Sequence, residues 1–127
     1  MQKKPQLLRL EALEGGPKAG TFIAQLDDLP GHGGKDVLFG QDQHRINIFI
    51  QRWQGDVYVY ENRCPHAHTP LNMMNDRFLN LTGNALICRT HGALFNVQSG
   101  ECTGGPCKGQ YLREVAFEVK DGAVYSV

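Results

Sequence analysis

The chain has 127 residues, with 13 Lys and Arg against 13 Asp and Glu and a formal net charge of zero. That balance gives nucleic acid or an anionic membrane surface nothing to grip, so neither is an expected partner. A hydrophobic share of 41% is ordinary and is enough for a single domain, residues 1–127, with its own core. The N-terminus begins basic at Lys3 and Lys4, but only Leu7, Leu8 and Leu10 follow. This is too short for a signal-peptide core, and no stretch approaches ~20 apolar residues. The expectation is a soluble cytoplasmic protein.

Fifteen Gly and six Pro punctuate the chain, and no long amphipathic pattern interrupts them. Leu7 to Glu14 is open between a strand and a short helix. Thr21 to Leu26 reads as a strand. Pro30-Gly31-His32-Gly33-Gly34 reads as a turn, and His32 and His44 as solvated. Arg45 to Gln51 is the clearest strand, rich in β-branched residues. Gln54-Gly55 is a tight turn, and Asp56 to Glu61 is the returning strand of a hairpin. Trp53 sits at the hairpin tip, either as a partner anchor or packed across the scaffold edge. Ala85 to Cys88 and Ala93 to Val97 are two more short strands. Arg113 to Val119 alternates with period two as a half-buried strand. Asp121-Gly122 then turns it into a partner at Ala123 to Val127. Short strands joined by turns predict an all-β domain of small stacked sheets. Residues 62–108 hold all four Cys and few strand residues. The predicted division is therefore a basal β scaffold, 1–61 and 109–127, with an inserted lobe at 62–108.

The lobe carries the chemistry. Cys64-Pro65-His66 and Cys88-Arg89-Thr90-His91 each offer one thiolate and one imidazole, separated by the twenty-one residues 67 to 87. Two of the five His lie inside these blocks. In a reducing compartment, thiols beside His serve more often as metal ligands than as disulfides. Two Cys and two His suit either a structural zinc ion or a two-iron cluster with a divided ligand set. The order Cys-x-His then Cys-x-x-His favours the second.

Those blocks, together with Pro70-Leu71 after the first, Gly92, Ala93 and Phe95 after the second, and the loop Gly104-Gly105-Pro106, resemble the Rieske family. The resemblance is sharp over 62–108 and looser over 22–127. It implies a Rieske-like fold of stacked antiparallel sheets and one [2Fe-2S] cluster per chain. Cys64 and Cys88 would hold one iron, and His66 and His91 the other. Imidazole edges at the surface would form the electron exit, and their outer nitrogens would couple redox to protonation. Respiratory members of the family have a disulfide at the positions of Thr69 and Thr90, and hydroxyls at those of Ala93 and Phe95. Without either, the expected potential lies near the low end of the Rieske range, on the order of −150 mV.

This chain departs from the family at His68, where Gly is common; the reading is a solvated loop side chain. The gap between the blocks is long, and the extra residues around Asn75 to Thr82 should pack Phe78 and Leu79 onto the lobe. Cys102 and Cys107 are expected to be reduced, partly buried thiols, with a small disulfide or redox switch as the alternative. Arg63, Arg77, Arg89 and Lys108 against Asp76 and Glu101 give the lobe a mild positive excess that could steer an acidic partner or simply keep the chain soluble. No Ser-His-Asp set, phosphate loop or dinucleotide fingerprint is present, so no catalytic residue is assigned and the chain is not an enzyme on its own. The expected function is a Rieske-type ferredoxin carrying single electrons from a flavin reductase to a terminal oxygenase. The alternatives are a Rieske-like small subunit of a larger oxidoreductase such as nitrite reductase, and a zinc module on the same four ligands.

Overall fold

The computed structural model describes residues 4–29, 31–65, 68–72 and 77–127. Among the described residues, nine strands form three antiparallel three-stranded sheets. The first sheet has the order β1 (Phe22–Gln25), β9 (Ala123–Ser126), β8 (Phe117–Lys120). In the second, β3 (Ile46–Trp53) lies between β2 (Gly34–Phe39) and β4 (Asp56–Glu61). The third joins β5 (Leu86–Ile87), β6 (Leu94–Phe95) and β7 (Cys102–Gly104). The expectation of an all-β fold of stacked antiparallel sheets is met.

The near-continuous apolar run in β3 has a physical cause: both faces of its sheet are covered. Successive side chains on a strand point to opposite faces. Ile46, Ile48 and Ile50, with Val59 of β4, join Leu8, Leu10, Ile23, Val115 and Val124 in one core. Phe49 and Tyr60 face the other way, into a core with Leu71, Phe78, Leu86, Phe95 and all four cysteines. The odd-numbered residues of β3 thus form one set of attachments. The Asn47 carbonyl accepts from Asn62 N–H at 2.8 Å. Phe49 stacks on Phe78 at 4.3 Å and 9°. Buried Gln51 donates to the His32 and Gly33 carbonyls at 2.8 and 3.1 Å. Trp53 donates from Nε1 to the Gly83 carbonyl at 2.9 Å. Trp53 therefore packs across the sheet edge and pins the 80–84 loop. Tyr60 completes the seam, its hydroxyl donating to the Val97 carbonyl at 2.6 Å; burial, with Glu114 and Tyr58 nearby, pushes that phenol well above its usual range.

Phe78 and Leu79 are buried, as expected from the sequence, whereas Asn75 lies outside the described residues. Truncation of Phe78→Ala removes a ring held between Phe49 and the lobe core. It should cost about 3–5 kcal/mol, read as a lowered midpoint in urea unfolding.

Two hairpin turns form as their sequences indicate. Gln54 and Gly55 have φ of 50° and 83°, and Asp121 and Gly122 have 50° and 76°. Left-handed pairs of this kind match the twist of the flanking strands. Three elements differ from the sequence expectation. β2 and β7 were not foreseen. β2 is an edge strand with exposed Lys35, Asp36 and Leu38, and its order comes from pairing along its whole length with β3. The strand expected from 113 is regular only from Phe117. Before that, the chain passes between layers: Val115 N–H donates to the Val59 carbonyl at 2.9 Å, and Leu8 N–H donates to the Glu114 carbonyl at 2.8 Å. The 7–14 segment resolves into a bridge at Leu8 and a single 3-10 turn, Leu10–Ala12.

Candidate metal centre

Two loops at one end of the third sheet present the Cys blocks. Each is closed by the same pair of backbone bonds. The Cys64 carbonyl accepts from His68 N–H at 2.8 Å, and Cys64 N–H donates to the Thr69 carbonyl at 2.8 Å. The Cys88 carbonyl accepts from Gly92 N–H at 2.9 Å, and Cys88 N–H donates to the Ala93 carbonyl at 2.8 Å. The clasp thus spans four and five residues in both loops, although their sequences differ. It ends on a left-handed residue: Gly92 at φ 74° and His68 at φ 58°. Gly adopts that conformation freely, and His does so at a cost. A Gly at position 68 would adopt it without that cost. His68 is exposed and accepts at Nδ1 from Arg63 Nε at 3.4 Å, in keeping with a solvated side chain. Replacement His68→Gly should relieve the backbone and raise stability by up to about 1 kcal/mol, measured as a shift in thermal midpoint.

The loops are tied to each other. The Thr69 and Thr90 hydroxyls lie 3.1 Å apart, and Arg89 N–H donates to the Leu71 carbonyl at 2.9 Å. One side-chain and one backbone hydrogen bond thus hold the two Cys loops together. A third loop leans on the second. A Cβ at Gly105 would sit 2.9 Å from Ala93 Cα, so only glycine fits that contact. Arg89 turns inward and donates from Nη2 to the Leu79 carbonyl at 3.1 Å, so its guanidinium is tied to the lobe and is not a free surface charge.

Cys64 and Cys88 are 1% and 0% exposed, whereas His91 is exposed. His66 lies outside the described residues. The described ligand candidates are therefore sorted by depth, with thiols inside and imidazole outside. That donor set fits a diiron cluster whose thiolate end is sheltered and whose imidazole end meets solvent. Among the described residues no three His, Cys, Asp or Glu side chains converge on one point, and a divided ligand set does not ask them to. Ala93 and Phe95 are fully buried and offer no hydroxyl.

Asn62 had no signal in the sequence beyond its place two residues before Cys64. It is 3% exposed. Its Oδ1 accepts from Leu71 N–H at 2.8 Å, and its Nδ2 donates to Asn72 Oδ1 at 3.1 Å and Asn47 Oδ1 at 3.4 Å. One side chain thus ties both ends of the first loop to β3. Cys102 and Cys107 are buried thiols with their sulfurs 2.9 Å apart. Burial pushes the Cys107 thiol above its usual range, and its hydrogen bond to Cys102 adds to this.

Stacked three-stranded sheets capped by two clasped Cys loops define an all-β class of protein with a candidate metal centre. The family model described as the Rieske [2Fe-2S] domain matches residues 21–121, and the chain belongs to that family. The zinc module is set aside on that ground. Solved structures of similar shape include a complex of reduced oxygenase and oxidized ferredoxin in carbazole 1,9a-dioxygenase. The match there is 23% identical with a TM-score of 0.69, and covers 87% of this chain and 94% of that one. The ferredoxin of carbazole 1,9a-dioxygenase from Nocardioides aromaticivorans IC177 matches at 23% identity and a TM-score of 0.65, over 87% of this chain and 98% of that one. A carbazole-bound oxygenase variant and ferredoxin complex of carbazole 1,9a-dioxygenase matches at 17% identity and a TM-score of 0.69, over 85% of this chain; the match spans only 28% of that one. No curated protein matches the sequence.

Proposed function

We propose that this chain is a Rieske-type ferredoxin that carries one electron from a flavin reductase to a terminal oxygenase and is not an enzyme by itself. The observation that carries this is the pair of clasped loops, with buried Cys64 and Cys88 beside exposed His91 and with Thr69 bonded to Thr90. Cys64 and Cys88 would hold one iron, and His66 and His91 the other, in one [2Fe-2S] cluster per chain. When bound, the cluster supplies a reversible one-electron step, and neutral imidazole ligands make its reduction easier than all-thiolate ligation would. The protein keeps solvent from the thiolates, presents an imidazole edge to the partner, and holds both loops at fixed spacing so that little rearranges when the charge changes.

The functional division follows the same lines, with scaffold 1–61 and 109–127 supporting the cluster-binding lobe 62–108. Matches over 94% and 98% of single chains in dioxygenase ferredoxin structures favour a carrier over a subunit buried in a larger oxidoreductase. Contacts with the redox partners should be small and short-lived, since a carrier must leave. Among the described residues no helix is long and apolar enough to cross a membrane. Cytoplasmic residence is the reading that suits thiols left unlinked at 102 and 107.

The deciding experiment is redox titration of the purified brown protein, followed by transfer to an oxygenase in the presence of NADH and a flavin reductase. A potential on the order of −150 mV is expected, because the side chains of Ala93 and Phe95 carry no hydroxyl that could donate to the sulfurs. A potential far above zero would reject the carrier fed by NADH. Stable co-purification with a catalytic chain would favour the subunit reading.

A further inference from the structure

Cys102 and Cys107 are not needed for the cluster, yet the fold builds a closed frame around them. Cys102 N–H donates to the Gln110 carbonyl at 2.7 Å, Gly109 N–H to the Cys102 carbonyl at 3.1 Å, and Gln110 N–H to the Cys107 carbonyl at 2.8 Å. Cys102 Sγ donates to the Gly104 carbonyl at 3.1 Å, while Cys107 Sγ points at Cys102 Sγ from 2.9 Å. Both residues are 1% exposed. A disulfide bond is about 2.0 Å long, so closing the gap takes about 0.9 Å of movement. The four residues between them include Gly104, Gly105 and Pro106, and Gly105 is the residue packed on Ala93 in the second Cys loop. A covalent ring here would lock the segment that leans on the metal centre.

We propose that Cys102 and Cys107 form a reversible dithiol–disulfide pair that fastens the loop at 104–106 over the cluster under oxidising conditions. The oxidant is a small-molecule disulfide of the glutathione class. One thiol, as thiolate, attacks a sulfur of that disulfide, and a mixed disulfide forms as one equivalent of small thiol leaves. The second thiol then attacks the protein sulfur of the mixed disulfide and releases the second equivalent. Two protein S–H bonds are lost, one protein S–S bond forms, and the small disulfide takes up both electrons and both protons. Because both sulfurs are buried, attack requires a brief opening of the 104–109 turn, and the change should be slow. The ring would not add a ligand or alter which residues meet the iron. It would restrict the turn's opening and so slow the escape of iron.

The test uses the iron-loaded full chain, equilibrated anaerobically in buffers of rising oxidised-to-reduced glutathione ratio. It is then denatured, alkylated and analysed by intact mass and by non-reducing peptide mapping. The visible spectrum of each sample is recorded first, so that loss of the cluster is seen separately from chemistry at 102 and 107. The expected result is a 102–107 linked peptide at unchanged iron content, and no such link in Cys102→Ser or Cys107→Ser. Iron release to a chelator should be severalfold slower in the linked form than in the reduced form, and equal under both conditions in Cys102→Ser. Three results would each overturn the proposal: two alkylatable thiols persisting across the whole range, a lasting glutathione adduct at either position, or loss of the cluster before the link appears.

Discussion

Serine in place of Cys64 or Cys88 is expected to yield a colourless protein lacking stoichiometric iron and sulfide. Serine's alkoxide is a harder and far more basic donor than a thiolate, and its side chain is protonated at neutral pH. The exchange also places a hydroxyl at a position where the thiol is 1% exposed in one case and 0% in the other. An unsatisfied buried hydroxyl costs about 1–3 kcal/mol, so unfolding must be distinguished from loss of ligation. The clasp around each position is made of backbone atoms, Cys64 to His68 and Thr69 and Cys88 to Gly92 and Ala93, and does not depend on the sulfur. The variants should therefore keep a far-UV circular dichroism spectrum of β type while iron and sulfide fall to background. Visible absorbance bleached by dithionite in either variant at full iron content would remove that residue from the ligand set. Thr90→Val serves as a control, because it deletes the hydroxyl contact between the loops without touching a thiol.

Truncation of Asn62→Ala should loosen both Cys loops at once. It strands Leu71 N–H, which loses its acceptor at 2.8 Å, and deletes both Nδ2 bonds, to Asn72 and Asn47. Leu71 is fully buried, so water cannot easily replace the lost partner. Its carbonyl also accepts from Arg89 N–H, so displacement of Leu71 passes to the second loop. The expected cost is about 2–3 kcal/mol in urea unfolding of the iron-loaded protein, with faster iron release to a chelator. Asn62→Leu tests whether hydrogen bonding or volume matters, since it fills the space and restores none of the three bonds. A loss below about 0.5 kcal/mol, the range of an ordinary surface change, would show that Asn62 does not clasp the loop.

Much of this protein could be read in the linear sequence because the informative signals are local. Hairpins at Gln54-Gly55 and Asp121-Gly122 depend on residues that tolerate positive φ, and the β-branched run of β3 marks a strand whatever it later meets. The Cys and His spacing points to a divided ligand set because thiolate and imidazole chemistry belongs to the side chains themselves. What could not be read depends on partners distant in the chain. β2 has charges where a strand would show alternation, and only the long register with β3 orders it. The segment before Phe117 bonds to Leu8 and Val59 in turn, so its neighbours change along its length. Asn62 looks like any polar loop residue until the fold brings Asn47, Leu71 and Asn72 around it. Composition and spacing fixed which atoms could bind metal. Tertiary packing alone decided that the two thiols are buried, that His91 is exposed, and that hydroxyls of Thr69 and Thr90 close the gap between the loops. Side-chain chemistry is a property of each residue, whereas burial and contact are properties of the folded chain.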